Sequence, residues 1–164
     1  MLKQGLPPIA GESTRLLVLG SLPGERSLQQ GQYYAHWTNQ FWKLIGTVVG
    51  EDLDGLEYEA RLDVLREHGI GLWDVVSAAE REGSGDDAIR DATHNDLGGL
   101  KRTYPQLQAI AFNGGRAAED GFRLLAGVEG LSLHALPSSS ARNARMTFAE
   151  KARSWAVLRQ FLPR

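Results

Sequence analysis

The sequence contains no cysteine. That one absence excludes disulfides, a thiol nucleophile, cysteine-ligated zinc and iron–sulfur clusters. Long apolar runs are missing too. The longest, such as Leu16–Leu19, span a few residues and are too short to cross a bilayer. The first residues, MLKQGLPPIAGEST, lack the apolar stretch of a secretory leader. Neither Gly-x-Gly-x-x-Gly nor a glycine-rich loop closed by Gly-Lys-Ser/Thr is present. Their absence removes the dinucleotide fingerprint and the phosphate-binding P-loop. Repeats, linkers and low-complexity segments are likewise absent. A cytoplasmic protein with no membrane attachment is the expectation.

What is present is an ordinary globular composition. The chain has 164 residues, 42% of them hydrophobic and 23% charged. That suits one domain over residues 1–164, with a single sizeable core. The net charge of −2 is less informative than its distribution. Residues 1–50 carry +2, residues 51–100 carry −10 and residues 101–164 carry +6. If the two basic ends meet in space, they form a positive face able to recruit a polyanion. The alternative is that acidic helices simply lie on the solvated surface.

Apolar runs and helical stripes alternate along the chain. Arg15–Ser21 reads as a buried strand, Ile70–Val76 as a second, Leu107–Phe112 as a third and Leu131–Leu136 as a fourth. Between them, Asn39–Val49 carries an apolar stripe of helical spacing, and Glu57–His68 reads as a helix stopped by Gly69. Arg81–Asp87 reads as a polar loop, Asp91–Lys101 as a helix, and Arg116–Leu125 as a helix closed by Gly127. Thr147-Phe-Ala-Glu150 matches a capping box, so a helix should run from there to about Phe161. Strand–helix alternation predicts an α/β fold: a three-layer α/β/α sandwich around a central, mainly parallel four-stranded sheet. Ligands of such sheets sit beyond the carboxyl ends of the strands. Here those ends carry Gly20–Gly24, Trp73-Asp74, Asn113-Gly-Gly115 and Pro137–Asn143.

The segment after the first strand is unusually long and aromatic. Gly20-Ser-Leu-Pro-Gly24, Tyr34-Ala-His-x-x-Asn39-x-Phe-Trp42 and Leu136-Pro-Ser-Ser-Ser140 together resemble the uracil-DNA glycosylase superfamily. Within it, the hypoxanthine-DNA (deoxyinosine) glycosylase branch is the nearer match. The resemblance covers about Arg15 to Trp155. It implies an enzyme that flips a damaged base out of DNA and hydrolyses its N-glycosidic bond. Such chemistry passes through an oxocarbenium-like sugar and needs a placed water and fixed dipoles, with no metal or cofactor. No lysine stands at a motif position (Lys43 falls inside the helix), so a monofunctional enzyme is expected.

The resemblance assigns roles residue by residue. Asn39 would be the catalytic residue, its carbonyl orienting the attacking water; Asn also suits a helix cap at that point. Leu22 stands where many relatives carry Asp or Asn, and an apolar side chain cannot handle water, so the burden falls on Asn39. Gly20, Ser21 and Leu22 would line the base pocket. Tyr34 would stack on the flipped base, whereas Phe41 and Trp42 fall on the core stripe. Asp74 corresponds to a base-recognition position. An acceptor there would take the ring N–H of a lactam and reject adenine, although a turn cap is the alternative. Asn113 is a similar candidate. Pro23, Gly24, Ser138, Ser139 and Ser140 would meet the DNA backbone, and His36 would touch a phosphate or brace the loop. Arg142 would fill the gap left by the base, Arg145 would pair a phosphate, and Asn143 between them would belong to the same DNA-binding stretch.

Two departures from the branch pattern matter: Trp37-Thr38 replaces a usual Pro-Arg, and Ala141 follows the serines where Pro is common. The expected partner is DNA containing a damaged base, bound by a monomer. Competing readings are uracil or another deaminated base as substrate, a damaged- or abasic-DNA binding module with little turnover, and an unrelated small-molecule enzyme on a similar sheet.

Overall fold

A computed structural model describes residues 2–163. Four strands form the central sheet: β2 (Leu16–Gly20), β3 (Ile70–Asp74), β6 (Ala109–Asn113) and β7 (Ser132–Leu136). Their order is β3-β2-β6-β7 and every pairing is parallel. All five residues of β2 and of β6 are buried. Continuous apolar runs fit this position, because a central parallel strand is covered on both faces.

The two-residue period of a strand divides the core. Leu16, Val18, Ile70, Leu72, Ala109 and Ala111 face one way. They pack against α2 (Phe41–Val49), α3 (Tyr58–Glu67) and α6 (Phe148–Trp155). Leu17, Leu19, Ile110 and Phe112 face the other way, toward the short α4 (Leu100–Thr103) and α5 (Gly115–Leu124). The result is the expected three-layer α/β/α arrangement. On the second face, α5 approaches closely: a Cβ on Gly121 would come within 2.1 Å of the Phe112 ring. The capping box also forms, with Thr147 Oγ1 accepting from Glu150 N–H and Glu150 Oε1 accepting from Thr147 N–H. Beyond Trp155 the chain tightens into a 3₁₀ turn over Ala156–Phe161 rather than continuing as α-helix. No helix among the described residues is long and apolar enough to cross a membrane.

Two elements depart from the sequence expectation. The apolar run Ile70–Val76 is not one strand. It leaves the main sheet at Asp74, and Val76–Glu80 becomes β4 in a second, antiparallel sheet of order β1-β4-β5. There β1 is Leu2–Gln4 and β5 is Arg90–His94. The expected helix Asp91–Lys101 is therefore a strand, then a loop, then the single turn of α4. The polar loop between β4 and β5 contains a 3₁₀ turn at Asp86–Ala88. Leu22, Val76, Ala79 and Ile89 form the core of this side sheet. The first turn after β2 is thus anchored to a structure the periodicity did not reveal. A short helix, α1 (Glu25–Gln30), follows that turn.

Candidate active site

Every strand end singled out from the sequence converges on one cleft of about 780 Å³. Gly20–Gly24 lies on one side, His36, Thr38 and Asn39 on another, and Ser138–Asn143 on a third; Asp74 and Asn113 complete the lining. The basic ends of the chain do meet here, yet the cleft is not a uniformly positive face. The acidic middle contributes Asp74, Asp86 and Asp87, and Glu25 joins them from α1.

A chain of hydrogen bonds runs through the cleft. Asn113 Nδ2 donates to Tyr34 Oη at 3.2 Å and to Ser139 Oγ at 2.8 Å. Ser139 N–H donates to Asn113 Oδ1 at 2.9 Å, and the Ser139 hydroxyl donates to Asn39 Oδ1 at 2.8 Å. Asn39 Oδ1 also accepts from Phe41 N–H at 2.9 Å. That bond satisfies a backbone donor at the start of α2 and fixes which end of the amide is oxygen. The carbonyl expected to hold water is therefore committed twice. The Asn39 amide Nδ2 has no protein partner among the described residues and lies in the cleft lining.

Ser139 is 1% exposed. Its hydroxyl, expected on the phosphate side, is instead the hub of this network. Ser138 and Ser140 are half-buried, and their Oγ atoms accept from Ser140 N–H and Arg142 N–H. Their hydroxyl protons remain available to a phosphate oxygen. Replacing Ser139 by Ala would orphan one Asn113 donor and unseat Asn39. Chemical denaturation should show a loss of about 1–3 kcal/mol, together with slower base release.

Asp74 ends β3 at 4% exposure. Its Oδ1 sits over Gly20, where a Cβ would approach to 2.7 Å, with Tyr34 Oη 3.2 Å from the same point. Only glycine leaves room for both groups. Its Oδ2 is buried with no hydrogen-bond partner. Burial, reinforced by the nearby Asp86 carboxylate and only partly offset by Arg81, pushes the Asp74 carboxyl up to about 8. The group is thus protonated at neutral pH. This adds a donor to the simple acceptor expected from the sequence.

Tyr34 is half-buried, with its backbone in the left-handed region (φ 54°). Phe41 stacks on one face of its ring, with centroids 3.9 Å apart and planes 14° apart. A flipped base can use only the other face. Leu22 is 6% exposed and packs largely into the side-sheet core. The Ser21 hydroxyl donates to Asp86 Oδ1 at 2.5 Å. His36 Nδ1 accepts from Thr38 N–H at 3.2 Å, which places the imidazole proton on Nε2. Arg142 is exposed and lays its guanidinium against Gly85 across the cleft, whereas Arg145 lies on an exposed turn outside it. Asn143 N–H donates to Ser140 O at 3.1 Å and closes the serine turn.

Three supporting side chains escaped the sequence reading. Arg81, 2% exposed, donates to Gly83 O at 2.9 Å, to Leu22 O at 3.3 Å and to Pro23 O. It pins the first turn. Lys151, 1% exposed, donates to Gln40 Oε1 at 2.9 Å and Ser140 O at 3.3 Å. It pins the Asn39 and serine turns to α6, and burial lowers its pKa. Asp86 holds Ser21 and acts on Asp74. Charged residues in polar stretches read as solvated, and nothing in their spacing marks them as buried.

Comparison with known proteins places the chain in a family. The family model of the Uracil DNA glycosylase superfamily matches residues 7–159. A hypoxanthine DNA glycosylase of Methanosarcina acetivorans is 43% identical over 97% of this chain and 99% of its own length. Its counterpart in Methanosarcina barkeri is 42% identical over 95% of this chain and 97% of its own. A solution NMR structure from Methanosarcina acetivorans, described as a uracil DNA glycosylase, superposes with a TM-score of 0.87 at 43% identity. That superposition covers 98% of this chain and 99% of the other. By sequence and by fold, the chain belongs to the uracil DNA glycosylase superfamily.

Proposed function

We propose that the chain is a monofunctional DNA glycosylase that excises hypoxanthine from deoxyinosine, acting as one domain and as a monomer in the cytoplasm, without metal or cofactor. The observation that carries this reading is the placement of Asn39 and the buried, protonated Asp74 in a single cleft. The near full-length relatives named for hypoxanthine support the choice of base.

The chemistry follows from the groups present. Hypoxanthine presents a lactam edge, a carbonyl beside a ring N–H. A protonated carboxyl offers one donor and one acceptor, the complement of that edge. An ionised carboxylate offers acceptors only and repels the carbonyl oxygen. Tyr34 supplies a face for the extruded ring. When the C1′–N bond breaks, its electron pair leaves with the base, and the Asp74 O–H stabilises the charge that builds there. The Asn39 Nδ2–H group donates to a water and leaves a second lone pair free to attack C1′. Once bonded to C1′, that water loses a proton to solvent. The products are the free base and an abasic site. Ser138, Ser140, His36 Nε2–H and Arg142 supply donors for the strand backbone around the lesion.

A panel of duplexes containing inosine, uracil, xanthine or ethenocytosine tests the reading. Hypoxanthine release should exceed that of the other bases. Strong uracil release without hypoxanthine release would overturn the substrate. Tight binding to abasic DNA without any release would leave a binding module.

A further inference from the structure

Trp37 is 83% exposed, while Trp42 and Trp155 are buried and Trp73 is half-buried. Its position is not a loose one. It stands second in a turn from His36 to Asn39, closed by Asn39 N–H donating to His36 O at 3.0 Å. Thr38 fastens the same turn, with its N–H and hydroxyl at 3.2 and 2.8 Å from His36 Nδ1. Asn39 is tied in turn to Phe41 and Ser139. The indole lies alongside the His36 imidazole, with centroids 6.0 Å apart and planes 20° apart. His36 and Thr38, its neighbours on both sides, line the cleft. A pinned turn therefore holds a broad aromatic plane in water at the lip of the site. A tryptophan held there offers a flat apolar face and an N–H group to whatever enters the cleft.

We infer that Trp37 is a stacking platform for an unpaired nucleobase of the lesion-bearing strand, next to the extruded nucleotide. The inference rests on the reading of the cleft as a DNA site. The partner is chosen by shape and chemistry. A flat ring carried on a pinned turn suits another flat ring, and stacking on an aromatic tolerates any base. Within an intact duplex no base has a free face. A face opens where a neighbour has been extruded or where the strand is unpaired. The site then has two aromatic levels: Tyr34, backed by Phe41, inside the cleft, and Trp37, alongside His36, at its rim. The chain should accordingly favour single-stranded or locally melted DNA.

The test uses a short single strand carrying a stable abasic-site analogue and an undamaged duplex of the same sequence, with binding followed by fluorescence anisotropy. Trp37→Ala should weaken single-strand binding by about tenfold and duplex binding by clearly less, while Trp37→Phe restores most of the loss. Binding should quench the exposed tryptophan emission of the wild type, and this quenching should vanish in Trp37→Ala. An unchanged melting temperature in both variants confirms that folding is intact. No loss of affinity, or an equal loss on both DNAs, overturns the inference even where the wild type releases hypoxanthine. Quenching by Trp37 without base release supports the platform and overturns the glycosylase reading instead. A wild type that neither binds nor cleaves DNA overturns both.

Discussion

Asn39→Ala should lower single-turnover hypoxanthine release by about a hundredfold or more, the scale on which a placed polar group acts in a transition state. The proposed hold on water and the observed bond to the helix start share this one side chain, so one variant is not enough. Its Oδ1 accepts from Phe41 N–H at the start of α2. Losing that acceptor costs about 1 kcal/mol of stability. Asn39→Ser separates the two roles, because serine retains an oxygen suited to capping but lacks the amide N–H group. It should regain stability over Asn39→Ala and regain little rate. Rapid base release by Asn39→Ser, with the protein saturating the DNA, would remove the water-holding role. Recovery of rate in step with recovery of melting temperature would reduce Asn39 to a helix cap.

The second large effect concerns pH. In the proposed mechanism Asp74 keeps its proton to donate to the departing base, and its carboxyl is pushed up to about 8 by burial and by Asp86. Asp86, Arg81, Tyr34 and Tyr33 are the charged or titratable groups that bear on it. Excision should be level below about pH 8 and fall by about tenfold per pH unit above it. Asp74→Asn is the informative variant. A carboxamide carries a donor and an acceptor at every pH, as the protonated acid does only below its pKa. The variant should keep excising hypoxanthine and should lose the alkaline fall, whereas Asp74→Ala loses the rate throughout. An Asp74→Asn profile that still falls above pH 8, or a wild-type profile that rises there, would contradict the protonated-acid role.

The same proton fixes the sign of a stability effect. From the ordinary value of 3.8 up to about 8, the native carboxyl holds a proton that the unfolded chain has released. Stability therefore declines with rising pH across that window, at up to about 1.4 kcal/mol per pH unit. Asp74→Asn should remove this slope in denaturant titrations, and it is expected to be the more stable protein at pH 8.

The central sheet was legible because three of its strands are apolar runs that end in Gly, Asp or Asn, and the fourth, β7, ends just before the Pro-Ser-Ser-Ser turn. Those endings mark the cleft in the sequence itself. The side sheet was not legible. Its β5, Arg-Asp-Ala-Thr-His, has no buried residue and no apolar alternation. It is a strand because β4 offers a partner, which is tertiary information. Leu97 and Leu100, three residues apart, imitated a helical stripe, yet Leu97 packs from a loop. In the site, Asp74, Asn113, Asn39 and the serine turn were identifiable from motif order. The direction of each side chain was not. Ser139 turns inward because Asn39 and Asn113 both need a partner there. The Asn39 carbonyl turns to the helix because an amide hydrogen of α2 would otherwise stand unmet.

Arg81 donates to three main-chain oxygens, those of Leu22, Pro23 and Gly83. Main-chain oxygens are present whatever side chain the residue carries. Position 23 can therefore change without loosening the anchor, whereas Leu22 is held a second time by its packing in the side-sheet core. Position 81 has no such latitude, since lysine lacks the flat, forked head needed to span three acceptors at once. The turn after β2 thus hangs on a single forked side chain from the neighbouring sheet, and Arg81→Lys should loosen it more than any change at position 23.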